Sequence, residues 1–133
     1  MRAIRRWWDQ PDHYDWLSGY LAARHLTAFC RFLLAASTAM LGIALGLMLL
    51  SPSGPQGAVS RIAVVVIVAG LAAMALVYLV RWPSRRLSYV FSALGSVAIA
   101  AAALAENDPL SGLLTCAAFA GLAGYVAFFH GAR

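Results

Sequence analysis

Three histidines come closest to a ligand set in this chain, and they are His13, His25 and His130. His25 and His130 both fall at predicted helix ends on one membrane face, where two imidazoles could bind haem or a metal ion. Haem-binding spans usually hold their histidines inside the helix core, so side chains that rest in the membrane interface are the simpler interpretation. Both interpretations stay open on the sequence alone.

A short acidic stretch, Glu106-Asn107-Asp108, is the second candidate. Two carboxylates and an amide could receive a cation or a small polar ligand, because hard cations prefer oxygen ligands. The alternative is a solvated turn between two helices, in which Asp108 caps the helix that follows. We favour the turn and keep Glu106 and Asp108 as a candidate ligand site.

The usual catalytic signatures are missing from the sequence. Without Lys there is no phosphate-binding loop, and no H-E-x-x-H, C-x-x-C or G-x-S-x-G pattern occurs. No pair of acids or histidines falls in the middle of an apolar run, where an ion or proton path would need them. We therefore expect no catalytic residue, no cofactor and no metal in this chain.

The composition indicates a membrane protein of one domain. Of the 133 residues, 62% are hydrophobic and 11% are charged, whereas a soluble domain carries about 25% charged residues. The net charge is +5, and all ten basic residues are Arg. They flank apolar runs instead of forming a compact basic patch with aromatic residues, so we do not expect nucleic acid as a partner.

Four apolar runs are long enough to cross the hydrocarbon core as helices. Pro83 separates the second run from the third, because proline has no amide hydrogen and clashes with a continuing helix. The fold class is therefore an all-α membrane protein, with a four-helix transmembrane domain over residues 29–133. The predicted spans are residues 29–50, 62–80, 87–105 and 110–129.

The two cysteines are not expected to form a disulfide. Cys30 and Cys116 fall at predicted depths that differ by roughly 20 Å, and a disulfide needs Cα atoms within about 7 Å. Both are best interpreted as small apolar residues.

Glycines recur in the predicted spans. Small residues let helix backbones approach closely, so we expect these positions to contact neighbouring helices, and a large residue at Gly121 to force two spans apart. Dimerisation through the Gly42-x-x-x-Gly46 pair is the alternative. The glycines concerned are Gly42, Gly46, Gly95, Gly121 and Gly124.

The turn between the second and third spans contains Arg81, Arg85 and Arg86. By the positive-inside rule this turn is cytoplasmic. The resulting topology puts nine arginines on the cytoplasmic side and only Arg61 on the other, with both chain termini in the cytoplasm. The three arginines of the turn therefore determine the topology of a multi-pass protein of the cell membrane.

Residues 1–28 are predicted to be a cytoplasmic segment before the first span. Tyr14, Leu17 and Leu21 recur at helical spacing, which predicts an amphipathic helix. We expect this helix to lie on the membrane surface with its apolar side in lipid. The aromatic residues expected to anchor it at the depth of the lipid headgroups are Trp7, Trp8, Trp16 and Tyr20.

Two parts of the chain carry a resemblance to a known family. Residues 7–16 (WWDQPDHYDW) and 20–24 (YLAAR) resemble the amino terminus of actinobacterial membrane-anchored GGDEF-domain proteins, of the diguanylate cyclase type. Residues 125–130 (YVAFFH) resemble the middle of that family's membrane region. The resemblance implies a multi-span sensory or anchoring module, which in the family precedes a cytoplasmic domain that joins two GTP molecules into cyclic di-GMP. No GGDEF signature is present here, so no active-site residue carries over.

The sequence therefore favours a membrane sensor or anchor module in signal transduction, without the catalytic domain itself. Two alternatives from other classes stay open: a small membrane-integral haem or quinone protein, and a structural subunit of a larger membrane complex. The lipid bilayer is the expected partner in each case, and the sequence leaves open a homodimer or a larger membrane assembly.

Overall fold

Residues 14–130 are described by the structure, a computed structural model, and they form helices joined by short turns. The last two helices, Pro109–Cys116 and Ala118–Phe129, are joined by Ala117, which keeps helical backbone angles, so the two make one candidate span from Pro109 to Phe129. Four helices are long and apolar enough to cross a membrane, and no strand occurs within residues 14–130. The predicted all-α fold with four candidate spans is confirmed. The helices are α1 (Tyr14–Ala23), α2 (Thr27–Met48), α3 (Ala58–Val80), α4 (Arg85–Ala105), α5 (Pro109–Cys116) and α6 (Ala118–Phe129).

The spans start one to four residues earlier than predicted. In the first three spans the added residues include polar ones that hydropathy leaves out, such as Thr27, Arg61 and Arg85, and the last span gains only Pro109. Ser84 accepts a hydrogen bond from the Leu87 amide, so α4 starts at Arg85. Before it, Arg81 has extended backbone angles and Pro83 is buried. The break expected at this proline is therefore present.

Helices α2 and α3 form a hairpin with the most extensive helix contact in the described part of the chain. Leu45, Val64 and Leu71 are buried in one apolar cluster there. Gly42 faces the same interface, where a Cβ atom would be 3.5 Å from Leu71 Cβ, an ordinary van der Waals distance. This hairpin is the most tightly associated pair of spans.

Two arginines connect the ends of the hairpin. Arg31, about one turn into α2, donates from Nε to the Tyr78 carbonyl at 3.0 Å and from a terminal nitrogen to the Leu79 carbonyl. Arg61, near the start of α3, donates to the Leu49 carbonyl at 3.0 Å. The last carbonyls of a helix have no partner within it and carry partial negative charge. Each guanidinium therefore caps the end of the neighbouring helix.

Replacing Arg31 by Met should lower the free energy of unfolding by about 1.5–3 kcal/mol, because the carbonyls at the end of α3 lose their charged donor. Arg86→Met is the matched control, since it removes one positive charge at an exposed position just after the turn that joins α3 to α4. Denaturant unfolding in detergent measures both variants. Equal losses would show that Arg31 acts only through its charge.

The remaining spans complete an open bundle. Helix α4 packs against α3 and also against α5 and α6, whereas α2 and α6 make at most marginal contact within residues 14–130. Gly95 of α4 faces α6, where a Cβ atom would be 3.7 Å from Leu122 Cδ1. A cleft therefore separates the first span from the last.

Three of the five glycines expected at helix contacts have no close neighbour. A Cβ atom placed on Gly46, Gly121 or Gly124 would meet no atom of another helix within 4 Å among the described residues. The expectation that Gly121 holds two backbones together is wrong within the single chain, because this glycine lies at the open cleft. A larger side chain has room there.

A different glycine makes the close approach. A Cβ atom on Gly112 would be 2.8 Å from the Ala103 carbonyl oxygen, because the first turn of α5 folds back against the end of α4. No pattern in the sequence predicts this contact, because it depends on the conformation of the turn at residues 106–108.

Gly112→Ala should destabilise the fold by about 1–3 kcal/mol, because the backbone of the α4–α5 turn has to move to accept the methyl group. Gly46→Ala should be neutral or slightly stabilising, since the site is open and alanine is the better helix former. Thermal unfolding of the two proteins side by side checks the difference. A Gly112→Ala protein as stable as Gly46→Ala would contradict the packing described here.

Candidate functional site at the α1 end of the bundle

Three segments of the chain meet at one end of the bundle: α1, the α3–α4 turn and the end of α6. Tyr14, Leu17 and Leu21 of α1 are buried in one apolar cluster with Phe129. Trp82 of the turn packs against the same cluster. We call the residues at this meeting point the basal cluster, and they are Tyr14, Trp82, Ser88, Tyr89, Tyr125, Phe129 and His130.

The predicted amphipathic helix is present at α1, but its apolar side lies against protein rather than lipid. Tyr14, Leu17 and Leu21 are covered because Phe129 and Trp82 offer an apolar surface at the end of the bundle. On the other side of α1, Trp16 is 69% exposed and its ring stacks on Tyr20 with centroids 5.8 Å apart. Trp7, Trp8 and His13 lie outside the described residues.

A chain of hydrogen bonds runs through the basal cluster. The Tyr125 hydroxyl oxygen is 2.5 Å from Ser88 Oγ, and Ser88 Oγ is 2.8 Å from His130 Nε2. Ser88 is completely buried and His130 is 4% exposed. Which atom donates depends on the imidazole tautomer, so the chain can run in either direction. Ser88 therefore connects α4 to two residues near the end of α6.

The His130 ring connects this chain to α1. It stacks on the Tyr14 ring with centroids 5.3 Å apart and an interplanar angle of 11°. Its centroid is also 4.1 Å from the centroid of the Tyr89 ring. The Tyr14 hydroxyl donates to the Pro83 carbonyl, and Trp82 Nε1 donates to Ser18 Oγ at 3.1 Å. Burial, with a smaller contribution from Tyr125, raises the pKa of Tyr14 above its ordinary value, so this phenol stays a neutral donor.

The arginines predicted to determine topology surround this end of the bundle. Arg81, Arg85 and Arg86 are all exposed. Arg85 lies 3.8 Å from the Asp15 carboxylate, and an exposed pair of this kind contributes little to stability. The direction in which the bundle crosses a membrane stays a prediction.

Ser88 and His130 resemble the nucleophile and base of a hydrolase, but the geometry does not support catalysis. A serine nucleophile has to reach the carbonyl carbon of a substrate, and Ser88 has no exposed surface. The His130 ring is 4% exposed and its Nε2 bonds Ser88 Oγ, so ligation of a metal or haem through Nε2 would break that bond. His25 is exposed in the α1–α2 turn, and residues 14–130 contain no group of three or more His, Cys, Asp or Glu side chains that could hold a metal.

The acidic stretch at the opposite end forms a helix cap. The Asp108 carboxylate accepts hydrogen bonds from the Ser111 amide at 2.9 Å and the Ser111 hydroxyl at 3.0 Å, and these bonds lower the pKa of Asp108. The Glu106 carboxylate oxygens are shielded from solvent, with no hydrogen-bond partner among the described residues. Burial and, to a smaller extent, the charge of Asp108 raise the pKa of Glu106. Asp108 therefore caps α5, as the turn interpretation expects, and the candidate ligand site at Glu106 and Asp108 stays a prediction.

The pKa shifts of Glu106 and Asp108 run in opposite directions, so the two residues should change the stability of the fold with pH in opposite ways. The raised pKa of Glu106 means that the folded protein binds its proton more tightly, so this residue destabilises the fold as pH rises above the ordinary glutamate value of about 4.3. Glu106→Gln should therefore raise the melting temperature at neutral pH and lose this advantage in acid.

Asp108→Asn is the matched comparison. The lowered pKa of Asp108 means that its contribution is present at neutral pH and is lost in acid, so the variant should melt lower at neutral pH with a difference that fades as pH falls. Thermal unfolding across pH measures both. A Glu106→Gln protein that melts lower at neutral pH would contradict the buried, unpartnered carboxyl.

A cavity of about 480 Å³ lies beside the basal cluster, between α2 and α6. Tyr125 belongs to both, since its side chain borders the cavity and its hydroxyl bonds Ser88. Tyr78 and Ser92 border the cavity at the same end. The hydrogen-bond chain of the cluster therefore begins at the cavity wall.

The fold defines the class of this protein as a multi-pass, all-α membrane protein. Comparisons with protein-family models, curated proteins and solved structures gave no match to the chain.

The sequence analysis missed Ser88 and Tyr125 as a pair. Ser88, Ser92 and Ser96 repeat at four-residue spacing on one face of α4, and this pattern was the available signal for a polar strip in an apolar span.

Proposed function

We propose that the chain is a membrane sensor or anchor module. In this module a change in the relative position of the spans moves the basal cluster, and the cluster in turn moves the segments at both ends of the chain. The observation that supports this most directly is the position of the His130 ring. It follows the last span, stacks on Tyr14 of α1 and accepts or donates a hydrogen bond at Ser88 of α4.

The cluster has the physical properties of a switch with discrete states. A shift of α6 along α4 would break the bonds of Ser88 to Tyr125 and His130. Each buried polar group left without a partner costs about 1–3 kcal/mol, so intermediate positions are disfavoured and the helices move between distinct arrangements. Because α1 rests on Tyr14, Phe129 and Trp82, its position follows that of α6.

The output of such a module would be at the end where α1, the arginine turn and the end of α6 lie together. The positive-inside rule assigns this end to the cytoplasm, as the topology proposal for the cell membrane requires. The resemblance to membrane-anchored diguanylate cyclases then suggests that a cytoplasmic nucleotide cyclase receives the signal. The small haem or quinone protein and the structural subunit of a membrane complex stay alternatives.

A reporter fusion tests the proposal. A diguanylate cyclase domain joined after Arg133 should be active in membranes, and Ser88→Ala should change its cyclic di-GMP output about 5-fold or more, the usual range for a coupling of 1–3 kcal/mol. Alanine removes both hydrogen bonds with little change in volume.

Ser96→Ala is the control, because the Ser96 hydroxyl donates only to the Ser92 carbonyl of its own helix, two turns from the cluster. Its output should equal that of the unchanged chain at equal protein level. If Ser88→Ala and Ser96→Ala give the same output, the module is an anchor without a relay. A fusion that inserts normally but makes no cyclic di-GMP would contradict the cytoplasmic position of the carboxyl end.

A further inference from the structure

The cavity between α2 and α6 opens sideways, towards the surroundings of the bundle. Its rear wall comes from α3 and α4, and its two sides from α2 and α6, which make at most marginal contact in the described part of the chain. Met40 on its border is 70% exposed. A molecule dissolved in the bilayer can therefore enter without crossing water.

The cavity walls are mainly apolar, with hydroxyl groups at two depths. Tyr78, Ser92 and Tyr125 border it near the basal cluster. Nearer the middle of the spans it is bordered by Leu41 and Ile99, with Ser37 and Thr38 on α2. No charged side chain is among its lining residues. A charged head group would lose its hydration without gaining a counter-charge, so the walls suit an uncharged molecule with one polar end.

The Ser92 hydroxyl near the basal cluster and the Thr38 hydroxyl at mid-span indicate what a polar group of the ligand must offer. Ser92 donates its hydrogen to the Ser88 carbonyl at 3.0 Å, and Thr38 donates to the Leu34 carbonyl at 2.7 Å. A hydroxyl has one hydrogen and two lone pairs, so what each presents to the cavity is an acceptor. A ligand that bonds these acceptors has to carry a donor, and a hydroxyl is the smallest uncharged head group that carries one.

We propose that this cavity binds an uncharged, single-chain amphiphile with a hydroxyl head group. The head lies beside Ser92 and Tyr125, and the tail lies between α2 and α6 towards Ala118. The cavity cannot enclose a helix of a second protein. A helix about 10 Å across needs about 800 Å³ for the roughly 10 Å of length between Tyr125 and Ala118, more than the 480 Å³ present.

The binding site goes beyond the proposed relay and does not require it. Tyr125 gives the two a physical connection, because a head group that bonds its hydroxyl competes with Ser88 for the same atom. Ligand binding is nevertheless measured on the purified chain without any reporter, so failure of one proposal leaves the other standing.

Photolabelling of the full chain in phosphatidylcholine nanodiscs tests the site. The probe is a hexadecanol analogue with a diazirine in its tail, and mass spectrometry locates the label. We expect saturable labelling of α2 and α6 residues that border the cavity. Unlabelled hexadecanol should compete about tenfold better than hexadecyl methyl ether, in which a methyl group replaces the donor hydrogen. Equal competition by the two would overturn the hydroxyl requirement.

Two glycine variants test whether the cavity is the site. Gly121 borders the cavity and a side chain has room there, so Gly121→Leu should fill the space and remove the labelling without lowering the melting temperature. Gly46 is equally open but does not border this cavity, so Gly46→Leu should label like the unchanged chain. Undiminished labelling of a folded Gly121→Leu protein would overturn the proposal.

A third variant decides the question if Gly121→Leu fails to fold. Ser92→Ala removes an acceptor at the polar end and keeps the apolar walls. Labelling should persist, while the preference for hexadecanol over its methyl ether should fall to about one. An unchanged preference would mean that Ser92 does not receive the head group, and the proposed binding mode would be wrong.

Discussion

A polar group placed in hydrocarbon has to find its partner inside the protein, and this constraint accounts for the main contacts of the structure. At the two ends of the α2–α3 hairpin the partners are guanidinium groups, since Arg31 and Arg61 each bond carbonyls at the end of the neighbouring helix. Within the spans, Ser92 and Thr38 bond carbonyls of their own helices. Ser88 differs from them because its hydroxyl bonds Tyr125 of α6 and His130, which directly follows α6.

Because of that difference, the contacts at the α1 end of the bundle depend on the relative position of α4 and α6. A hydroxyl that bonds its own helix is satisfied wherever the helix moves, whereas the Ser88 bonds exist only while α4 and α6 keep one relative position. The same His130 that Ser88 bonds is stacked on Tyr14, so the first described helix depends on the last. The cleft between α2 and α6 leaves α6 with less contact to other helices than α3 has. Among the spans, the one most able to shift is thus the one that holds the cluster together.

The sequence predicted the spans well because continuous apolar length and the Pro83 break are local properties. It did not predict the partners of Arg31, Ser88 or Gly112, because these depend on how a helix is rotated and which helix stands beside it. The G-x-x-x-G spacing shows that backbones can approach, not that a neighbour is present, and Gly46 lies in open space. The spacing of Tyr14, Leu17 and Leu21 predicted that one face of α1 is covered. Apolar periodicity does not say whether lipid or protein covers such a face, and here it is the end of the bundle.

The dependence of α1 on the end of α6 is the central claim, and hydrogen exchange measures it directly. In nanodiscs, the amides of α1 should be protected in the unchanged chain, and in the double variant Phe129→Ala, His130→Ala they should exchange more than about tenfold faster, because both rings that cover Tyr14 are gone. The amides of α3 serve as the internal reference and should not change. If α1 exchanges equally in both proteins, whether fast or slow, its position does not depend on the basal cluster, and the account is contradicted.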